Sequence, residues 1–193
     1  MGFGTNIVIG SAAFLLGMVF VSQVVDIPLL YVPLTDKAVE DAYAFYSMWY
    51  EAPGAVKALF HVAIFLPLLV LLSKLHKWTE SAKFFDGSSI ALQMATIVLY
   101  LSVHIQSLRT CFPDATSTWS IIPAAPAREA PATIDEKVEA IRVLAAANAL
   151  CGLLLIGVIG MQVGQEYASS VEAKEQKAID EAARQASQAK KDL

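Results

Sequence analysis

Four long runs of apolar residues, almost free of charge, set the pattern of this chain. Ile7 to Val25 carries no charge, and neither does Gly87 to Leu108 or Val143 to Gln165. The remaining run, Ala52 to Ser73, holds one charge, Lys57, close to its start. None alternates in the manner of an amphipathic surface helix of a soluble domain. A helix rises 1.5 Å per residue, so about 20 residues cross the roughly 30 Å hydrocarbon core of a bilayer. Lipid offers no partners for backbone amides, so such runs must satisfy themselves as helices. The pattern predicts spans near residues 5–25, 53–73, 87–109 and 139–165. The first run lacks the basic leader and the small-residue cleavage pattern of a signal peptide, and is expected to be retained. The predicted fold class is all-α: a four-helix transmembrane bundle over residues 1–165, then a charged, partly disordered cytosolic tail over 166–193.

The stretches between the runs carry their own signals. From Asp36 to Glu51, Val39, Tyr43, Tyr46 and Trp49 recur at helical spacing, with Thr35 placed to cap and Pro53 to stop the helix. This predicts a short helix on the membrane surface or against the bundle, its aromatic rings suited to the headgroup level. The connector at about 110–135 contains Pro113, Pro123, Pro126 and Pro131, which predicts extended, irregular chain. It closes on Thr133-Ile134-Asp135-Glu136, a capping box that should open a helix outside the bilayer and run it straight into the last span. Beyond Gln165 the chain is rich in Ala, Glu, Lys and Gln, good helix formers with little to bury. A solvent-exposed helix that frays into disorder is expected there.

Composition supports the membrane reading. Of 193 residues, 56% are hydrophobic and 17% charged, against about 25% charged in ordinary soluble domains. A net charge of -4 with no basic stripe excludes nucleic acid as a partner class. Two cysteines, Cys111 and Cys151, cannot form a disulfide framework and read as free thiols. Lys74, Lys77 and Lys83 in the turn before the third span, and Lys174, Lys177, Arg184, Lys190 and Lys191 in the tail, put both termini in the cytosol under the positive-inside rule. The asymmetry is mild, since Lys37, Lys57, Arg109, Arg128, Lys137 and Arg142 fall on the other side. Lys190 and Lys191 also resemble the dilysine retrieval signal of endoplasmic-reticulum membrane proteins.

Within the spans, Gly10, Ala13 and Gly17 mark one face of the first, and Gly160 and Gly164 stand at G-x-x-x-G spacing in the fourth. Such residues pack helices closely, either inside this bundle or against another membrane protein. Gln23, His61, Gln93, His104, Gln106 and Asn148 are the polar side chains of the spans. His61 and His104 fall toward the same leaflet, where they either hydrogen-bond across helices or form a bis-histidine haem site. No carboxylate occupies a span centre, and no phosphate loop, H-E-x-x-H or Cys-x-x-Cys motif is present, so neither an enzyme nor a cofactor is expected.

Three stretches carry more than topology: Lys83-Phe84-Phe85-Asp86-Gly87-Ser88-Ser89, Ser107-Leu108-Arg109-Thr110, and Arg142 to Asn148. With Glu51-Ala52-Pro53 to His61, and in this order on four spans, they resemble the fungal endoplasmic-reticulum packaging chaperones for amino acid permeases. The resemblance runs from about Met1 to Gly164, while the tail and the proline-rich connector contribute nothing to it. It implies a non-enzymatic protein that keeps newly made polytopic permeases from aggregating, its tail helping to load them into vesicles through coat components. Phe84, Asp86, Gly87, Ser88, Arg109 and Asn148 become candidate contacts with partners on this basis. Asp86 or Ser88 has an ordinary alternative as N-cap of the third span, with Gly87 easing the entering turn. A small structural subunit of a stable membrane complex is the rival reading.

Overall fold

The computed structural model describes residues 2–76, 80–112 and 131–189. Among these every regular element is a helix. Helix α1 spans Phe3–Leu30, α2 Asp36–Tyr50, α3 Gly54–Leu75 and α4 Glu80–Leu99. One π-helical turn, Tyr100–His104, joins α4 to α5, Ile105–Cys111, and α6 runs from Ile134 to Ala189. Four helical stretches are long and apolar enough to cross a membrane: Phe3–Leu30, Gly54–Leu75, Lys83–Cys111 and Ile134–Gln185.

Two expected caps form. Thr35 Oγ1 accepts from the Ala38 amide at 3.2 Å, starting α2. Thr133 Oγ1 accepts from the Glu136 amide at 3.2 Å while the Glu136 carboxylate accepts from the Thr133 amide at 2.9 Å, closing the capping box of α6. Pro67 lies inside α3 and is buried, so the Ala63 carbonyl loses its i+4 donor. Next to it, Gln93 Nε2 of α4 donates to the Ile64 carbonyl at 2.7 Å, tying α4 to this turn of α3.

The four long helices pack in a ring. Helix α1 touches α3 and α6, and α4 touches the same two, so α1 and α4 stand on one diagonal and α3 and α6 on the other. One apolar cluster joins Val8, Ala12 and Leu15 to Ile64, Leu71, Ile97, Leu155 and Val158. A second seats α2 against the bundle through Ala42 and Tyr46, packed with Val25, Leu29, Cys111, Ile141 and Leu144. Helix α2 therefore lies on protein: Tyr46, read as a headgroup-level ring, is only 6% exposed. The outer faces carry Phe20, Val24, Leu59, Leu69, Val98, Leu153 and Ile156, all exposed. A large apolar exterior over a partly polar interior is the arrangement a lipid solvent selects.

Two sequence expectations need correction. The third apolar helix begins at Glu80 and not at residue 87, so Asp86, Gly87 and Ser88 are interior helical residues and none caps an N-terminus. The first extends to Leu30, which brings Asp26 within a membrane-competent helix. The tail continues α6 without a break to Ala189, with exposed side chains from Glu172 to Gln185 and no fraying among the described residues. Lys190, Lys191, Lys77, Pro113, Pro123, Pro126 and Arg128 lie outside the described residues.

Candidate functional site

The interior of the bundle holds two polar knots, one toward each end. The first is centred on Lys74, in the last turn of α3. Its ammonium stands 2.8 Å from Asp86 Oδ1 of α4. It also donates to Thr5 Oγ1 of α1 at 3.1 Å and to the side-chain carbonyls of Gln162 and Gln165 of α6, at 2.5 and 2.7 Å. Four acceptors thus surround a group with three N–H bonds, and they come from each of the other three long helices. Both glutamines return their amide hydrogens to Asp86, at 3.0 Å from Gln162 and 2.8 Å from Gln165. The charges at either side fix both amides: carbonyl toward Lys74, NH2 toward Asp86. Gln162 also donates to Ser89 Oγ at 3.0 Å. Asp86 is 1% exposed, and a carboxylate so placed is tolerable only because it is paired and hydrogen-bonded.

The second knot surrounds Asp26, which is fully buried. The Tyr46 hydroxyl of α2 donates to Asp26 Oδ1, and Asn148 Nδ2 of α6 donates to Asp26 Oδ2 at 2.9 Å and to the Tyr46 oxygen at 2.7 Å. Ser22 Oγ lies 2.8 Å from Oδ2. Burial, then the Asp26 charge, push the Tyr46 phenol far up, so it keeps the proton it donates. His104 reaches the knot through the π turn, its Nε2 being 2.8 Å from Asn148 Oδ1. The extra residue of such a turn rotates following side chains relative to a plain helix.

The sequence-derived candidates divide between these knots and the surface. In the motif Phe84 to Ser89, Phe84 is exposed and stacks edge-on against Phe85, 5.1 Å between centroids. Phe85 meets Gly164, where an added Cβ would lie 3.0 Å from Cε1 of the ring. Gly87 and Gly160 have open space where a Cβ would be. Ser88 is half-buried on α4 and Arg109 half-buried on α5. Asn148 sits inside the Asp26 knot. Gly10, Ala13 and Gly17 are exposed, and a Cβ added at Gly10 or Gly17 would meet nothing among the described residues.

Lys74, Gln162, Gln165, Asp26 and Tyr46 were not singled out in the sequence as site residues. The signal available for Gln162 and Gln165 was i, i+3 placement in an otherwise apolar run; for Asp26 it was an acid within a turn of a span end. The paired histidines do not fit a haem. His61 Nδ1 is 2.6 Å from the Lys57 carbonyl and its Nε2 3.3 Å from the Tyr100 hydroxyl, while His104 Nε2 is taken by Asn148. Among the described residues no three His, Cys, Asp or Glu side chains converge as a metal ion would need. The arrangement therefore holds helices together by exchange of charge and hydrogen bonds, and leaves apolar faces for whatever lies outside.

Comparison with known proteins agrees with that character. Neither curated proteins nor solved structures give a match. The model of the SHR3 chaperone family, described as ER membrane protein SH3, matches residues 1–192, which takes in both knots, the Phe84 to Ser89 motif and all four apolar helices. By this match the chain belongs to the SHR3 family of endoplasmic-reticulum membrane chaperones.

Proposed function

We propose that this chaperone serves newly made polytopic amino acid permeases, covering them in the endoplasmic-reticulum membrane and assisting their loading into transport vesicles. The observation that carries the reading is the family match over residues 1–192, joined to the resemblance of the Phe84 to Ser89 motif to packaging chaperones. The distribution of polarity supports it. A half-folded transporter exposes intramembrane polar groups and small-residue grooves that pair wrongly with neighbours. A chaperone with unsatisfied polar groups of its own would be captured by such a client. Here Lys74, Asp86, Gln162 and Asp26 are paired inward.

The faces left for a client are apolar, with bare backbone at Gly10 and Gly17 of α1 and at Gly160 of α6. Contacts of that sort are van der Waals packing with no polar group to re-pair on separation, which suits a client that must leave. Phe84 and Gly87, on the outer side of the family motif, and Arg109 are the residues we assign to client or coat contact. Asp86 and Asn148 would act indirectly, by holding the helices that present them. Both termini would face the cytosol, bringing the exposed continuation of α6 to the vesicle coat.

In cells lacking this protein, amino acid permeases should remain in the endoplasmic reticulum while other cargo moves normally. Normal arrival of permeases at the cell surface would overturn the assignment. Purification in mild detergent distinguishes a chaperone from a fixed subunit, since a long-lived stoichiometric partner would favour the latter.

A further inference from the structure

We propose that the interior of the bundle binds one water molecule between α3 and α4, which donates one hydrogen to Gln93 Oε1 and the other to the Ala63 carbonyl. Gln93 is fully buried, and on α4 it lies about 10 Å of helix from Asp86, between the two knots. Its Nε2 donates to the Ile64 carbonyl at 2.7 Å. Turning the amide over would set Oε1 against that carbonyl, two acceptors face to face, so the orientation is fixed. Oε1 is then a buried acceptor with no hydrogen-bond partner among the described residues.

The second acceptor comes from the backbone. Pro67 is buried inside α3 and has no N–H for the Ala63 carbonyl, and a proline ring pushes that carbonyl out of the helical ladder. Ala63 and Ile64 are themselves buried, in the cluster that joins Leu71 of α3 to Ile97 of α4. Consecutive carbonyls of one helical turn are neighbours. The amide that holds the Ile64 carbonyl therefore brings its own oxygen to the turn that carries the Ala63 carbonyl.

Two acceptors meet here, and the side chains around them do not supply the hydrogens. Thr96, a turn along α4, donates its hydroxyl hydrogen to the Leu92 carbonyl at 3.0 Å. Ile64, Leu71 and Ile97 have none to give. The occupant must therefore carry two donors and be small enough for the inside of a packed bundle. It must also be neutral, because a cation would need an anion and Asp86 is already paired with Lys74. Water meets all three conditions. A break in the i→i−4 ladder is where a water inserts into a helix, and buried waters are held by polar groups that are otherwise unsatisfied. Bound in this way, it lets α3 carry a proline within the membrane and ties α3 to α4 at a joint separate from both knots.

Water–amide cross-relaxation NMR of the full-length protein in detergent micelles, with nitrogen-15 in the glutamine side chains, tests this directly. Q93M assigns the Gln93 NH2 resonances by their loss. The native protein should show a cross-peak between water and the Gln93 NH2, with the sign of a long-held water. Ser89 and Thr96, a turn away on either side, carry hydroxyls that exchange with solvent and could relay such a signal, so the cross-peak should survive S89A and T96V. P67A gives the Ala63 carbonyl its amide partner and puts a better helix former at that position, so the bundle stays folded while the cross-peak falls severalfold. No cross-peak in the native protein, its loss in S89A or T96V, or full intensity in P67A overturns the proposal.

Discussion

Lys74 of α3 and Gln162 of α6 lie on opposite corners of the helix ring, yet the ammonium and the side-chain carbonyl are 2.5 Å apart. The contact exists because a lysine stem is long enough to cross the end of the bundle and find there an anion, Asp86, that justifies the charge. The Lys74 side chain is 19% exposed and that of Asp86 1%, so the pair is only partly screened.

Breaking this pair from one side should be costly. K74M leaves Asp86 buried with glutamine donors alone, and the expected loss is about 3–5 kcal/mol, read as a lower thermal midpoint in detergent. K74M/D86L removes both charges and should lose less than the sum of the two single changes, the coupling being about 1–3 kcal/mol. Strict additivity would show that the two residues are not acting as a pair.

The two glycines of the G-x-x-x-G stretch should respond differently to enlargement. Gly164 faces the Phe85 ring at 3.0 Å, so G164L must displace an aromatic side chain and should destabilise the bundle by about 1–3 kcal/mol. Gly160 faces open space, so G160L should leave the melting midpoint unchanged. If the Gly160 face receives a client helix, G160L should instead lower the amount of permease that co-purifies. Equal melting for the two variants would remove the distinction.

Tyr46 is the one hydroxyl that ties α2 to the Asp26 knot. Y46F deletes a donor to Asp26 and an acceptor for Asn148 while keeping the ring in its apolar cluster. A loss of about 1–3 kcal/mol is expected, expressed as faster amide hydrogen exchange across Ala42 to Ser47. Unchanged protection there would mean that apolar packing alone holds α2.

The proposed orientation makes a prediction of its own. A glycan-acceptor sequence inserted between Cys111 and Ile134 should be modified in the lumen, giving a mass shift on a gel. One placed after Leu193 should remain unmodified. The reverse pattern would invert the topology and remove the tail from the coat.

Much of the bundle is legible in the sequence because lipid imposes a coarse rule, a charge-free run of sufficient length. That rule finds α1, α3, α4 and α6, and the Thr35 and Thr133–Glu136 caps are read from contacts three residues apart. The same rule hides the knots. Asp26 and Lys74 look like the ends of spans, because a charge terminates an apolar run on paper; in three dimensions α1 continues past Asp26 to Leu30, and Lys74, in the last turn of α3, turns back across the bundle to partners on other helices. Those partners are distant in sequence, Asn148 from Asp26 and Gln162 from Lys74, and no local periodicity links them. Asp86 resembled a cap for a related reason: the helix is already formed from Glu80, in a stretch too polar to read as a span. The π turn at Tyr100–His104 has no local signature, since its residues are as apolar as their neighbours.

Helix α6 is one uninterrupted element of 56 residues, about 84 Å long at 1.5 Å per residue. An unbroken rod has no swivel. A tilt or twist imposed on the Gly152 to Gln165 portion by a neighbour in the bilayer would carry the far end beyond Glu172 with it, less what the exposed helix takes up by bending. A complex docked on that end would sense mechanically whether the membrane portion is occupied, with no second messenger between them.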